Sequence, residues 1–188
     1  INIAGYIKSS SSNGPGNRAV IFFQGCPFQC PGCFNEKLQS VEKKHIVSPK
    51  ELLKEISDQN PIEGITLSGG EPFYQQDGLF ELLKTAKETY SFTTVIYTGY
   101  NYEIIDKRFF PFIDVIIDGQ FEKDRPERHY IRGSTNQRFI FLTDRYSADD
   151  MKRVGNIEII VENDGTVLIT GFPQGGHHVS LYKNQDRT

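Results

Sequence analysis

Apolar residues along the chain fall into two kinds of pattern, short continuous runs and helical stripes, and the order in which they follow one another predicts the fold. Ile1 to Ile7 alternates loosely as a first strand. Ala19-Val-Ile-Phe-Phe23 is a continuous run of β-branched and aromatic residues, the composition of a buried strand in a parallel sheet. Leu52, Leu53 and Ile56 recur at helical spacing over about 49–58, after Ser48-Pro-Lys-Glu51, which reads as a capping box with proline at the first helical position. Ile62 to Leu67 predicts a strand, Leu79, Leu82, Leu83 and Ala86 a second amphipathic helix, and Thr93 to Tyr97 another strand. A short helix from about Tyr102 precedes a strand at Ile113 to Ile117, and Arg138 to Leu142 is the next strand after a charged stretch.

Four of these strands end in polar or glycine-rich loops and three are followed by helical patterns, which argues for repeated βα units. The expected fold class is α/β, laid out as a partial (β/α) barrel. The loops after the strands of such a barrel converge on one mouth, so Cys26, Gly70, Thr98 and Asp118 are expected to face a single cavity. Further on, Ile157-Glu-Ile-Ile-Val161, Asn163-Asp-Gly165 and Val167-Leu-Ile169 predict a short C-terminal β-hairpin, expected to cover an open barrel edge. The expected division is a barrel over 1–147 and an extension over 148–188 packed on the same domain.

Composition narrows the class. A chain of 188 residues with 37% hydrophobic and 24% charged positions reads as one soluble globular domain. No apolar stretch approaches a membrane span, and Ile1 to Tyr6 lacks the basic start and long apolar segment of a signal peptide. A net charge of -3 gives no reason to expect a nucleic-acid surface.

The cysteines change the picture most. All three, Cys26, Cys30 and Cys33, lie in the run Gly25-Cys-Pro-Phe-Gln-Cys-Pro-Gly-Cys-Phe-Asn35, directly after a predicted strand. With no other cysteine in the chain there is no disulfide framework to explain them, and their clustering fits a reducing interior, hence the cytoplasm. Three thiolates are one short of the four ligands of a closed zinc site or of a stable electron-transfer cubane, so the trio points to a cluster with one open iron. Short cysteine clusters also bind zinc, and a zinc or iron-sulfur module without catalysis is the competing reading. Pro27 and Pro31 restrict this loop, while Gly25 and Gly32 are expected to leave room for a bulky cofactor. Downstream, Ser68-Gly69-Gly70-Glu71-Pro72 ends a strand with unobstructed backbone groups and adds a carboxylate suited to an ammonium group. His45 and His129 have no metal-site spacing with the cysteines, and His177 and His178 read as surface residues.

Cys-x3-Cys-x2-Cys resembles the signature of the radical S-adenosylmethionine enzymes. Asn13-Gly-Pro-Gly-Asn-Arg18 upstream and Ser68 to Pro72 downstream resemble the pattern of the glycyl-radical-enzyme activases. Tyr97-Thr-Gly-Tyr100, Asp118-Gly119 and Ile131-Arg-Gly-Ser-Thr-Asn-Gln137 are similar to the anaerobic ribonucleotide reductase activases in particular. The resemblance covers roughly 13 to 140. It implies that Cys26, Cys30 and Cys33 hold a [4Fe-4S] cluster whose fourth iron is chelated by S-adenosylmethionine, and that one electron from an external donor cleaves the cofactor to a carbon radical. The hydrogen atom then abstracted would come from a glycine of the partner, most simply an anaerobic ribonucleotide reductase. Phe34, Asn35, Ser68, Gly69, Gly70, Glu71, Thr98, Asp118 and Arg132 are the implied cofactor contacts, with the Ser68 to Pro72 segment holding the methionine amino group. Asn13, Gly14, Asn136 and Gln137 are the implied partner-facing residues. A radical enzyme acting on another glycyl enzyme, a peptide or a small molecule is the alternative within this chemistry.

Overall fold

A computed structural model of the chain describes residues 1–58, 61–153, 157–161, 165, 167–172 and the backbone of 181–182. Strand β1 (Asn2–Ser10) is followed by β2 (Arg18–Phe23), the short β3 (His45–Ile46), helix α1 (Pro49–Ser57), β4 (Gly64–Gly69), helix α2 (Gln76–Tyr90), β5 (Thr93–Thr98), β6 (Val115–Asp118) and β7 (Arg138–Phe141). These seven strands form one sheet in the order β3-β1-β2-β4-β5-β6-β7. Its centre, β2-β4-β5-β6, is parallel, and antiparallel pairs close both ends, β1 on β2 and β7 on β6. The fold is thus mixed α/β with a largely parallel sheet.

The unbroken apolar run of β2 follows from burial on both faces. Ala19, Ile21 and Phe23 point to the helical side, where Leu52, Leu53 and Ile56 of α1 and Leu79, Leu82 and Leu83 of α2 cover them. Val20 and Phe22 point the other way, toward Ala4, Ile7 and Leu38. On that second face Val95, Val115 and Ile117 pack against Ile131, Met151 and Phe172. Strands β8 (Ile157–Val161), β9 (Val167–Gly171) and β10 (Leu181–Tyr182) make a separate antiparallel sheet. The expected hairpin is therefore present, with a third short strand. It lies across the second face of the main sheet rather than along an edge: Ile160 and Leu168 rest on the Val20–Phe22 cluster, Ser10 Oγ donates to Glu158 at 2.6 Å and Asn13 Nδ2 donates to Thr170 at 2.9 Å. Asn163 and Asp164 of the expected turn lie outside the described residues.

The lower end of the sheet is closed by a buried cation. Arg18 is 0% exposed and donates to the carbonyls of Pro15, Ile65 and Thr93 and to the hydroxyls of Thr66 and Tyr146. Burial pushes its guanidinium below its ordinary range, against the neighbouring Tyr146. The Gly14-Pro15-Gly16 turn is part of this plug: a Cβ on Gly14 would meet the Arg18 side chain, Pro15 O accepts from its guanidinium, and Gly16 sits at φ +72 against Glu63.

Other local expectations change as well. Proline does open α1, but Ser48 makes no side-chain capping bond. The helix after Tyr102 is a pair of 3-10 turns, Tyr102–Ile104 and Lys107–Phe112. The charged stretch before β7 carries isolated bridges, Pro126 to Ser134 and Tyr130 to Lys152. Among the described residues no helix is long and apolar enough to cross a membrane.

Candidate active site

The upper ends of β2, β4, β5 and β6 border one cleft, with about 920 Å³ of space between its atoms counted out to the mouth. The three cysteines line it together with Ser68, Gly69, Gly70 and Glu71, the Thr98-Gly99 pair, and Phe121. The convergence expected of Cys26, Gly70 and Thr98 is therefore met, and Phe34 and Asn35 line the cleft too. Asp118 is set apart, in the wall of a neighbouring groove.

The cysteine loop is fastened at its base. Gly25 N–H donates to Leu38 O at 2.8 Å and Cys26 N–H to Gln39 O at 3.1 Å, after the chain has turned back through the 3-10 turn Glu36–Leu38. Gly25 and Gly32 sit at φ +95 and +71. The backbone angle is what requires glycine there, since Gly25 has only ordinary contacts and Gly32 lies under the stem of Lys123 rather than open space. Gly69, at φ +100, needs glycine for the same reason, whereas Gly70 answers to packing alone. Glu71 N–H donates to Gly25 O at 2.9 Å, and a Cβ on Gly70 would fall 2.3 Å from that same oxygen. This contact seats the cysteine loop on the end of β4.

The sulfurs have hydrogen-bond partners. Asn35 N–H points at Cys33 Sγ at 3.4 Å, and the Cys30 thiol donates to Gln120 Oε1 at 3.8 Å. Burial pushes the Cys26 thiol up to about 11, although the Phe28 N–H pulls it down, and burial raises Cys33 against the Asn35 N–H and the Gln39 side chain. Nearby cationic metal would reverse that penalty, and N–H donors aimed at sulfur are a recognised means of stabilising bound clusters. Among the described residues no three His, Cys, Asp or Glu side chains converge as a single metal ion would need. Three thiols on one wall of the cleft are one short of a closed zinc site, a set that fits a cluster with an open iron.

Several side chains expected to contact a cofactor are engaged within the protein. Glu71 is 1% exposed, and its carboxylate accepts from Phe73 N–H, Thr98 Oγ1–H and Gly99 N–H at 2.8–2.9 Å. Burial pushes it up to about 7 against these three donors. Glu71 therefore fastens the end of β4 to that of β5. Asp118 is fully buried, accepting from Arg138 and from Tyr102 N–H at 2.7 Å. The Asp118 carboxylate, followed by that of Glu103, holds Arg138 above its ordinary range. Arg132 donates to Glu127 at 2.7 Å and to Gln137 O, and its guanidinium lies over the rings of Tyr130 and Phe139, so it braces its own loop.

The residues expected to face a partner are mostly internal. Asn13 is 8% exposed, and a Cβ on Gly14 would meet the Arg18 side chain at 2.5 Å. Gln137, also 8% exposed, accepts from Gly133 and Ser134 N–H and donates to Gly119 O. Asn136 is partly exposed and donates to Gln120 O at 2.8 Å. Asn13 and Gln137 do reach the cleft, but as its lining. The sequence reading missed Tyr97, Gln120 and Phe172, which also line the cleft. Tyr97 was detectable as an inward position of β5, whereas Phe172 enters only through the packing of the C-terminal sheet.

Residues 12–140 match a family model described as a 4Fe-4S single cluster domain. The chain is 36% identical over 139 residues to the anaerobic ribonucleoside-triphosphate reductase-activating protein of Enterobacteria phage T4, covering 70% of this chain and 88% of that protein. The protein of that name from Haemophilus influenzae is 30% identical over 148 residues, covering 73% of this chain and 96% of its own length. The one from Escherichia coli K12 is 29% identical over 148 residues with the same coverage.

Proposed function

The chain belongs to the family of anaerobic ribonucleoside-triphosphate reductase-activating proteins, and from that membership we propose that it is a radical S-adenosylmethionine activase that generates a glycyl radical on an anaerobic ribonucleotide reductase. Cys26, Cys30 and Cys33 are its ligands to a [4Fe-4S] cluster. The observation that carries this reading is the placement of three thiols, one short of a closed ligand set, on the wall of a cleft at the carboxyl ends of parallel strands. When bound, the cluster and S-adenosylmethionine supply one-electron cleavage of the sulfonium and abstraction of a hydrogen atom.

The chain's own residues bind, orient and exclude water. The turn at Ser68 to Gly70 meets the methionine end through its backbone, because the Glu71 carboxylate is buried and engaged by three donors from the protein. The aromatic rings of Phe34, Tyr97, Phe121 and Phe172 give the cleft apolar walls suited to the nucleoside end. Asp118, Arg132 and Gln137 shape the cleft by holding its loops. The run of parallel strands β2-β4-β5-β6 with helices packed on one face supports a partial (β/α) barrel, whose wide mouth admits a polypeptide loop of the partner. An external one-electron donor and the reducing cytoplasm complete the setting.

The direct test is anaerobic reconstitution with iron and sulfide, followed by dithionite and S-adenosylmethionine. The expected outcome is a brown protein that releases 5′-deoxyadenosine and methionine in equal amounts. A colourless protein carrying one zinc would overturn it.

A further inference from the structure

Two hollows meet at Cys30. One is the cleft just described; the other is a groove on the outer side of the cysteine loop, bordered by Tyr100, Ile104 and the Asp118–Arg138 pair. Cys30 and Gln120 line both. Gln120 follows Gly119, which sits at φ +101 at the end of β6, and its backbone carbonyl accepts from Asn136 Nδ2 at 2.8 Å. That turn and that bond bring the Gln120 amide to the Cys30 sulfur, with Sγ and Oε1 3.8 Å apart.

We propose that Gln120 is a positioning residue whose side-chain amide hydrogen-bonds the Cys30 sulfur and raises the reduction potential of the bound cluster. The inference rests on the cluster-binding reading of Cys30. A protonated thiol donates to the amide oxygen, as in the structure. A metal-bound thiolate has no proton to give and can only accept, so the amide turns over and offers its NH2 group. Reduction adds one electron from the external donor, and the extra negative charge spreads in part onto the sulfurs. An N–H donor at one sulfur therefore stabilises the reduced form more than the oxidised form, and the potential rises. Among the described residues Cys33 Sγ takes its hydrogen bonds from Asn35 N–H and Gln39, within the cysteine segment itself. Cys30 is reached from a different loop, so a substitution there alters the sulfur's environment without touching the cysteine segment.

The test is a redox titration of the reconstituted protein, followed by electron paramagnetic resonance of the reduced cluster, in wild type, Gln120→Leu and Gln120→Glu. Leucine removes the donor, and glutamate replaces it with an anion that can only repel. The expected result is a midpoint potential shifted to more negative values in Gln120→Leu and further in Gln120→Glu, with iron and sulfide content unchanged. Midpoints that coincide with wild type in both variants would overturn the inference while leaving the cluster reading intact. Failure of the wild-type chain to assemble any cluster would overturn the reading on which it rests.

Discussion

Glu71→Gln replaces a titrating carboxyl with a neutral isostere at the point where the ends of β4 and β5 are fastened together. The wild-type carboxylate takes two backbone N–H donors and the Thr98 hydroxyl while 1% exposed. Burial outweighs these donors and raises the group from its ordinary 4.5 to about 7, which corresponds to roughly 3 kcal/mol of folding free energy. The folded value lies above the unfolded one, so folding takes up a proton. Glu71's contribution is then fully present below pH 4.5 and is lost as the pH rises through about 7. Glutamine mimics the protonated form and cannot titrate. Urea unfolding followed by circular dichroism, on both proteins between about pH 4.5 and 8, isolates the effect as a difference of stabilities. The wild-type stability minus that of Glu71→Gln is expected to fall by about 3 kcal/mol over that range. A difference that stays flat with pH would refute the reasoning, because it would mean that the three donors cancel the cost of burial.

Gly70→Ala is expected to push the cysteine loop off the end of β4, because the new Cβ would stand 2.3 Å from Gly25 O and 3.0 Å from Leu38 O, both backbone atoms that cannot rotate away. The strain of such overpacking is roughly 1–3 kcal/mol, and iron bound per chain after reconstitution should drop; full occupancy would contradict it. Arg18→Met leaves three carbonyls and two hydroxyls in the buried plug without their donor. Chemical unfolding should show a loss of about 3–5 kcal/mol, and a loss under about 1 kcal/mol would mean that water replaces the guanidinium.

Much of the frame was legible because it is local. The continuous run at Ala19 to Phe23, the helical stripes of α1 and α2, and the thiols at the end of β2 are each contained in one segment, and periodicity or spacing reveals them. What escaped was long-range. Glu71, Asp118 and Arg132 look like ligand-binding groups in the sequence because their types are right and they sit at strand ends or in a polar loop. Their partners, Gly99, Arg138 and Glu127, become visible only once strands and loops are placed side by side. The same holds for Arg18, which as a bare arginine near a turn suggests a surface residue, yet lies where three strands and a loop end together. Asn13 and Gln137, each set in a polar stretch, suggest exposure, whereas their amides are spent on joining the segments that line the cleft. Phe172 is held at the cleft where Arg153 donates to Phe172 O and to the carbonyls of Glu127, Tyr130 and Arg132, a junction of segments far apart in sequence.

The central claim is that three cysteines in this cleft serve radical formation on a partner polypeptide. Its most direct test is electron paramagnetic resonance of the reconstituted, reduced protein mixed with S-adenosylmethionine and an anaerobic ribonucleotide reductase from the same source. The account predicts a glycyl-radical doublet that is absent when Cys30→Ala replaces the wild-type chain. Cofactor cleavage with no doublet on the reductase would contradict the proposed partner, and a doublet that persists in Cys30→Ala would contradict the assigned ligand.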